Sequence, residues 1–333
     1  MNNINLNKKP LIIIAGPTAV GKTATSVSLA KRLGGEIVSA DSVQVYRGLD
    51  IGSAKVTKEE MDGVPHHLID IIDVDTDYDV SMFQSMAREA IDGIYERGHV
   101  PILAGGTGFY IQGLLYGIDF TDEDETLHSD IRERLEKEAA EDGGPEALYQ
   151  RLKEVDPKST EKIHEHNIRR VIRALEFYEI HGYPISKHNA EEREKKAVYN
   201  PAFFVLNDER SALYERINKR VDLMVEEGLI DEARWLYQLK LPKDRTSVKG
   251  IGYRELLEAF ETMEGTGLAA SENRAIIERA VEKIKQDSRN YAKRQITWFK
   301  RERDVNWVNI QEFDYKKDRI TEWITEKCLS LLA

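Results

Sequence analysis

Residues 11–23 read LIIIAGPTAVGKT, an apolar run that stops in a glycine-rich loop. Leu11 to Ala15 is short, apolar and rich in β-branched residues, so it reads as a buried strand. The next eight residues, Gly16, Pro17, Thr18, Ala19, Val20, Gly21, Lys22 and Thr23, fit the spacing G-x-x-x-x-G-K-[ST]. Thr23 to Leu33 continues as a helix. Strand, loop and helix in that order turn backbone N–H groups and the positive end of a helix toward one point, where a phosphate group is held. Lys22 would neutralise a terminal phosphate and the Thr23 hydroxyl would reach a magnesium ion, so all eight residues are candidate phosphate ligands and Thr23 is the candidate metal contact.

Working outward from this loop, Glu36 to Ala40, His67 to Val74 and Val100 to Ala104 read as further strands, with Ser81 to Arg97 a helix between the last two. Alternation of this kind predicts an α/β fold, a phosphate-loop NTPase-like parallel sheet with helices on both faces. After Gly117 the run Asp119 to Glu125 is acidic and reads as a linker. Charge-rich helical sequence then continues to about Gly182, which predicts an inserted all-helical domain. Ser186 to Lys196 reads as an exit linker and Pro201 to Asn207 as a strand that rejoins the sheet, after which the chain reads as helical. The expected division is residues 1–118 for the core, 119–199 for the insertion, and 200–333 for the return to the core and the C-terminal basic helices.

Composition limits the function classes. With 333 residues, 41% hydrophobic and 32% charged, the chain has enough apolar material for a core, and disordered or collagen-like readings are excluded. Leu11 to Gly16 is far short of the roughly 20 apolar residues of a membrane span. Met1 to Pro10 has no apolar stretch of the secretory kind, and the lone Cys328 builds neither a disulfide nor a cysteine zinc site, so a cytoplasmic protein without membrane contact is expected. The net charge of -11 argues against wholesale coating by nucleic acid. Residues 283–303 nevertheless hold eight basic side chains against Asp287 and Glu302. Lys285, Arg289 and Lys293 recur at helical spacing there, so one face predicts a polyanionic partner.

Asp41 directly follows the second strand, at the carboxyl end of a parallel sheet, where open α/β folds bind ligands. A carboxylate there either accepts a proton as a general base or merely caps a turn. The strand 100–104 ends in Gly105, Gly106, Thr107 and Gly108 rather than the Asp that supports magnesium in nucleotide hydrolases, although Asp70 and Asp73 lie in the neighbouring strand candidate. The loop is therefore open to a diphosphate that is not a nucleotide's. Asp73 to Gln84 fails as a calcium loop because Tyr78 and Gln84 stand where Gly and Glu are needed. His66, His67, His164 and His166 lack further partners at zinc spacing. Tyr291, Trp298 and Phe299 within the basic stretch are candidates to stack bases, although helical spacing favours the core for Trp298 and Phe299.

The stretch Asp41 to Lys55, DSVQVYRGLDIGSAK, resembles the D-S-x-x-x-Y-x-G-x-D-I-G-T-A-K block of the tRNA dimethylallyltransferase family. Gly105 to Tyr110 is similar to its G-G-T-x-L-Y, Arg169 to Tyr178 to its R-x-x-R-A-L-E-V-x segment, Gly250 to Arg254 to its G-Y-[KR] element, and Ala292 to Phe299 to its A-K-R-Q-x-T-W block. Ser53 and Phe109 are mild departures. The resemblance implies transfer of a dimethylallyl group from dimethylallyl diphosphate to the exocyclic amine of the adenosine 3′ of the anticodon in tRNA, with release of diphosphate and with Mg2+ as cofactor. It implies catalytic roles for Asp41, Lys22, Thr107 and Arg220, with Thr107 at the target nucleotide and Arg220 at the diphosphate. It also implies tRNA contacts from Asp41, Ser42, Val43, Gln44 and Thr107, and from Arg132, Arg169, Arg170 and Arg173 in the insertion. The basic residues Lys285, Arg289, Lys293 and Arg294 would complete the footprint on the anticodon stem-loop, with a monomer as the expected state. Two other readings share the phosphate loop. A small-molecule kinase would use Arg169, Arg170 and Arg173 as a lid over ATP, and an RNA-binding switch would change shape with nucleotide.

Overall fold

The computed structural model describes residues 8–118, 125–267 and 269–332. In chain order the first elements are β1 (Pro10–Ala15), α1 (Lys22–Leu33), β2 (Gly35–Ala40), α2 (Lys58–Met61), β3 (His66–His67), α3 (Val80–Glu96), β4 (Val100–Gly105) and α4 (Gly108–Tyr116). Then come α5 (Glu125–Ala140), α6 (Gly144–Val155), α7 (Pro157–Thr160), α8 (Ile168–His181) and α9 (Ile185–Glu194). The remainder is β5 (Asn200–Asn207), α10 (Arg210–Glu227), α11 (Leu229–Gln238), α12 (Thr246–Lys249), α13 (Tyr253–Met263), α14 (Ala270–Phe299), β6 (Val305–Asn309) and α15 (Lys317–Leu332). Two compact units result, one of residues Met1–Gly117 with Ala197–Ala333, the other of Ile118–Lys196.

In the first unit six strands form one sheet in the order β3-β2-β4-β1-β5-β6, and every pairing is parallel. The register sets Ile12 opposite Ile102 and Ala202, and Ile37 opposite Ile102. Alternation along the strands then sends neighbouring residues to opposite faces. On one face Ile12, Ile14, Phe204 and Leu206 pack with Val27 and Leu29 of α1 and Ile320 and Ile324 of α15. On the other, Phe203 meets Phe299 of α14 edge to face at 6.3 Å, while its neighbour Phe204 meets Trp323 of α15 at 6.2 Å. The sheet is thus covered on both sides, and its strands read as near-continuous apolar runs for that reason.

The second unit is helical. Leu135 of α5, Leu148 and Leu152 of α6, and Val171 and Leu175 of α8 share one buried cluster. The buried Asp156 accepts hydrogen bonds from Ser159 N at 3.1 Å, Ser159 Oγ at 2.6 Å and Ser186 N at 2.9 Å, which anchors the start of α9. Burial pushes its carboxyl up, but these donors more than offset it and the net shift is downward.

Several expectations need correction. Of the strand expected over His67 to Val74, only His67 joins the sheet, in a two-residue strand with His66. Leu68 and Asp70 adopt positive φ of 62° and 60°, and the chain instead bonds to the loop beside β2, with Ile71 N donating to Val45 O at 2.8 Å. The exit linker expected over Ser186 to Lys196 is mostly helix α9. The chain does not stay helical after β5, because β6 adds a parallel edge strand beside it. The acidic linker expected at Asp119 to Glu125 lies, but for its last residue, outside the described residues.

At the amino end of β2, away from the phosphate loop, Glu36 is almost fully buried. It accepts from Arg97 Nε at 2.9 Å and Nη2 at 2.8 Å, and contacts His67 and His99 at 2.6 Å each. The Arg97 hydrogen bonds are the main reason its pKa falls from 4.5 to about 2; burial opposes and the two histidines assist. A depressed carboxyl stabilises the fold above its unfolded pKa of 4.5, and the contribution drains away as pH falls toward about 2. Glu36→Gln should therefore lower unfolding free energy at pH 7 by on the order of 2–3 kcal/mol, with the gap to the parent narrowing at pH 3. Urea unfolding at the two pH values checks this, and a gap that does not narrow would remove the ion-pair account.

Candidate active site

The carboxyl ends of β1, β2 and β4 bring together three segments widely spaced in the chain: the loop 16–23, Asp41, and Thr107. Thr107 N donates to Ala40 O at 3.3 Å, which places Thr107 beside the residue that precedes Asp41. The loop sits flush against β5. Gly16 has φ of 144°, and a Cβ there would come within 2.5 Å of Leu206 O, so no other residue fits the turn.

Lys22 opens α1 and folds back under its own loop, its Nζ donating to Gly16 O at 3.1 Å and Pro17 O at 2.8 Å. Burial, and next the charge of Arg220, lower its pKa to about 8, while Asp41 pulls the other way. Arg220, from α10, approaches the Thr18 hydroxyl at 3.5 Å. Burial lowers its pKa too, with Asp41 again opposing. Lys22, Arg220 and Asp41 thus share one electrostatic environment, in which Glu60 and Glu227 also act on Arg220. Two cations that burial has partly stripped of water are stabilised by a bound anion.

Two side chains hold the loop in shape. Arg216 Nε donates to Ala19 O at 3.0 Å and its Nη2 pairs with Asp208 at 2.6 Å, which fixes Ala19 at its positive φ of 62°. The buried Gln295 of α14 accepts from Thr18 N at 3.0 Å and donates to Gly106 O at 2.9 Å, so it ties the phosphate loop to the turn that carries Thr107.

Asp41 uses Oδ1 to accept from Val43 N at 2.9 Å and Gln44 N at 3.3 Å. Its Oδ2 receives no donor among the described residues. Two tyrosine hydroxyls feel its charge. Burial first, and the Asp41 charge next, push Tyr291 up to about 12. The same two causes raise Tyr78, whose buried hydroxyl has no hydrogen-bond partner among the described residues. Gln44 turns its side chain away, to Ser53 O at 3.2 Å and Ala54 O at 3.1 Å.

Other residues singled out in the sequence lie elsewhere or are otherwise engaged. Lys285 is largely buried in ion pairs with Asp222 at 2.7 Å and Glu282 at 2.8 Å, which is no arrangement for a free cationic footprint. Arg289 donates to Asn218 Oδ1. Lys293 and Arg294 are exposed, and Arg294 lies over the Tyr291 ring at 5.6 Å from its centroid. In the helical unit Arg132 and Arg173 converge on the buried Glu176 at 2.8 and 3.1 Å, while Arg169 and Arg170 are exposed. Asp70 and Asp73 pair with Lys55 and Arg47, and so are spent on ion pairs rather than poised for a metal. Among the described residues no cluster of three or more His, Cys, Asp or Glu could hold a metal ion. Gln295, Arg216 and Tyr78 are site residues to which sequence reasoning gave no role, and Tyr291 was read only as a candidate for stacking a base. For Gln295 the signal was present, since it lies in the stretch Ala292 to Phe299 that carries the family resemblance.

Residues 44–302 match the family described as IPP transferase, and residues 9–75 the one described as isopentenyl transferase. The tRNA dimethylallyltransferase of Lachnoclostridium phytofermentans is 46% identical over 322 residues, spanning 96% of this chain and 98% of that protein. The chain belongs to the tRNA dimethylallyltransferase family. The Halalkalibacterium halodurans tRNA dimethylallyltransferase is also 46% identical, over 93% of this chain and 94% of its own. Among solved structures, the tRNA isopentenylpyrophosphate transferase of Bacillus halodurans has a TM-score of 0.68 at 44% identity, over 97% of this chain and 98% of its own. A eukaryotic dimethylallyltransferase acting on tRNA gives 0.73 at 29% identity, over 90% of this chain and 74% of its own. Membership makes the protein a prenyltransferase and sets aside the kinase and switch readings. Among the described residues no helix is long and apolar enough to cross a membrane.

Proposed function

We propose that this chain transfers the dimethylallyl group of dimethylallyl diphosphate to the exocyclic amine of the adenosine 3′ of the anticodon in tRNA. The observation that carries this reading is the meeting of Lys22, Arg220 and Asp41 in one cleft, two cations for a leaving diphosphate beside one carboxylate for a proton. The amine nitrogen bonds to the allylic carbon as the carbon–oxygen bond breaks, the electron pair leaves with the diphosphate, and the amine proton passes to Asp41. Lys22 and Arg220 oppose the charge that builds on the departing oxygen. Thr107, whose N–H bonds Ala40 O beside Asp41, would contact the adenine.

A magnesium ion would fit this cleft through the exposed Thr23 hydroxyl and the oxygens a diphosphate would bring, because the described residues offer no carboxylate cage. Thr23 would hold it, and its charge would offset that of the diphosphate. Such an enzyme works in the cytoplasm, where its tRNA is.

Incubation with radiolabelled dimethylallyl diphosphate and bulk tRNA, beside γ-labelled ATP with the same tRNA, tests the reading. Label from the allylic donor is expected in tRNA and none from ATP; the reverse would restore the kinase. The exposed Lys293 and Arg294 belong to the proposed tRNA footprint. Replacing both by Gln should reduce the slope of log affinity against log salt by about 1.4–1.8, whereas Lys285→Gln should leave it unchanged because that lysine is already ion-paired. Filter binding across salt concentrations decides; equal effects from all three would mean the ion pairs of Lys285 open on tRNA.

A further inference from the structure

We propose that Glu232 is a positioning residue for the transfer, a carboxylate clamp that sets where Asp41 stands. Glu232 lies on α11 and is half-buried. Its Oε2 accepts from Asp50 N and Ile51 N at 2.8 Å each, and its Oε1 accepts from Gly52 N at 2.9 Å and from the Tyr253 hydroxyl at 2.6 Å. Three consecutive backbone N–H groups turned toward one anion form the kind of nest that elsewhere holds a phosphate or sulfate. Here the occupant is the protein's own side chain, from a helix about 180 residues away in sequence. The fit is close, since a Cβ on Gly52 would lie 2.6 Å from the buried Tyr253 ring.

The clamped segment is joined to Asp41 by a short run of contacts. Residues 53 and 54, directly after the clamped amides, receive the Gln44 side chain at 3.2 and 3.1 Å. Lys55 closes the loop on itself by donating to Tyr46 O at 2.6 Å and pairing with Asp50 and Asp70. Gln44 N and Val43 N, in turn, hold Asp41 Oδ1. Displacing 50–52 therefore displaces Gln44 and the amides that orient the catalytic carboxylate. The other end of the assembly fixes the donor side: α10, which runs into α11 through Gly228, carries Arg220 and Arg216 against the phosphate loop. One pair of consecutive helices thus grips both the loop for the diphosphate and the loop for the adenine amine. A misplacement of about 1 Å between such groups costs on the order of 100-fold in rate.

This inference rests on the proposed transfer. Single-turnover prenyl transfer at saturating tRNA and donor should fall about 10- to 100-fold in Glu232→Gln, which replaces one acceptor oxygen by a donor facing donors. Donor affinity should stay within about threefold of the parent because the phosphate loop is untouched, and saturating tRNA removes from the rate whatever binding the displaced Gln44 contributed. Tyr253→Phe removes one donor of the four and should lose about threefold, which keeps the inference testable should Glu232→Gln fold poorly. The decisive readout is the Asp41→Asn background. A clamp that acts through Asp41 has little left to position there, so Glu232→Gln should then cost less than about threefold more. Equal losses in both backgrounds, or a Glu232→Gln enzyme at the parent rate, would overturn the inference. A parent enzyme that fails to label tRNA would overturn the transfer reading, and the clamp's role with it.

Discussion

Lys22→Ala is expected to reduce prenyl transfer by about 30- to 1,000-fold while leaving tRNA affinity nearly intact. A charge-assisted contact from a preorganised, partly desolvated cation to developing negative charge is worth about 2–4 kcal/mol. The loop should survive the change, because Arg216 at Ala19 O and Gln295 at Thr18 N hold it independently of Lys22. The pH dependence follows from the same geometry. Burial and Arg220 lower the Lys22 pKa to about 8 in the free site, so its charge is present below that pH and is lost above it. Donor affinity of the parent should therefore weaken between pH 7 and 9, and that of Lys22→Ala should be low and flatter across the same interval. Calorimetric titration with dimethylallyl diphosphate at the two pH values measures both effects. Normal turnover in the variant, or an affinity that rises with pH in the parent, would mean that the diphosphate lies elsewhere.

The parts of this site that were legible in the chain are those in which strand, turn and ligand contact follow one another locally. Leu11 to Thr23 carries its strand, its glycines and its lysine within one stretch, and Asp41 follows its strand directly, so periodicity and motif spacing were enough. The failures are tertiary. His67 to Val74 is apolar and β-branched, yet it turns at Leu68 and Asp70 to cover the loop beside β2, a choice that depends on where Val45 lies. Ser186 to Lys196 has the polarity of a linker but becomes helix, its first turn fixed by the buried Asp156 from another part of the chain. Lys285, Arg289 and Lys293 share a helical face by spacing, and spacing is blind to Asp222, which takes Lys285 out of the surface. Gln295 and Glu232 exert their effect across 277 and about 180 residues, on backbone groups whose direction no local pattern records. Buried polar groups must find partners, and those partners are chosen by the fold.

Asp41→Asn should lower single-turnover transfer by about 100-fold or more with both substrates saturating. The substitution suits this site because of how Asp41 is held. Its Oδ1 accepts the Val43 and Gln44 amides, and an asparagine oxygen accepts the same two bonds, so the turn is retained. What changes is the second position, where Oδ2, free of donors among the described residues, becomes an NH2 group that accepts no proton. The exocyclic amine of adenine is a weak nucleophile, since its lone pair is delocalised into the ring. A carboxylate bonded to its N–H raises electron density on nitrogen, and that bond strengthens as positive charge develops in the transition state. Its loss should therefore appear in turnover far more than in ground-state affinity. Lys22 and Arg220 would still bind the diphosphate, and losing the neighbouring negative charge should leave donor affinity equal or slightly tighter. Separate determination of donor affinity, tRNA affinity and single-turnover rate distinguishes the two roles open to Asp41. A variant with a near-normal rate, or one whose loss is wholly recovered at higher tRNA concentration, would make Asp41 an anchor for the nucleotide, and the proton would have to leave by another acceptor.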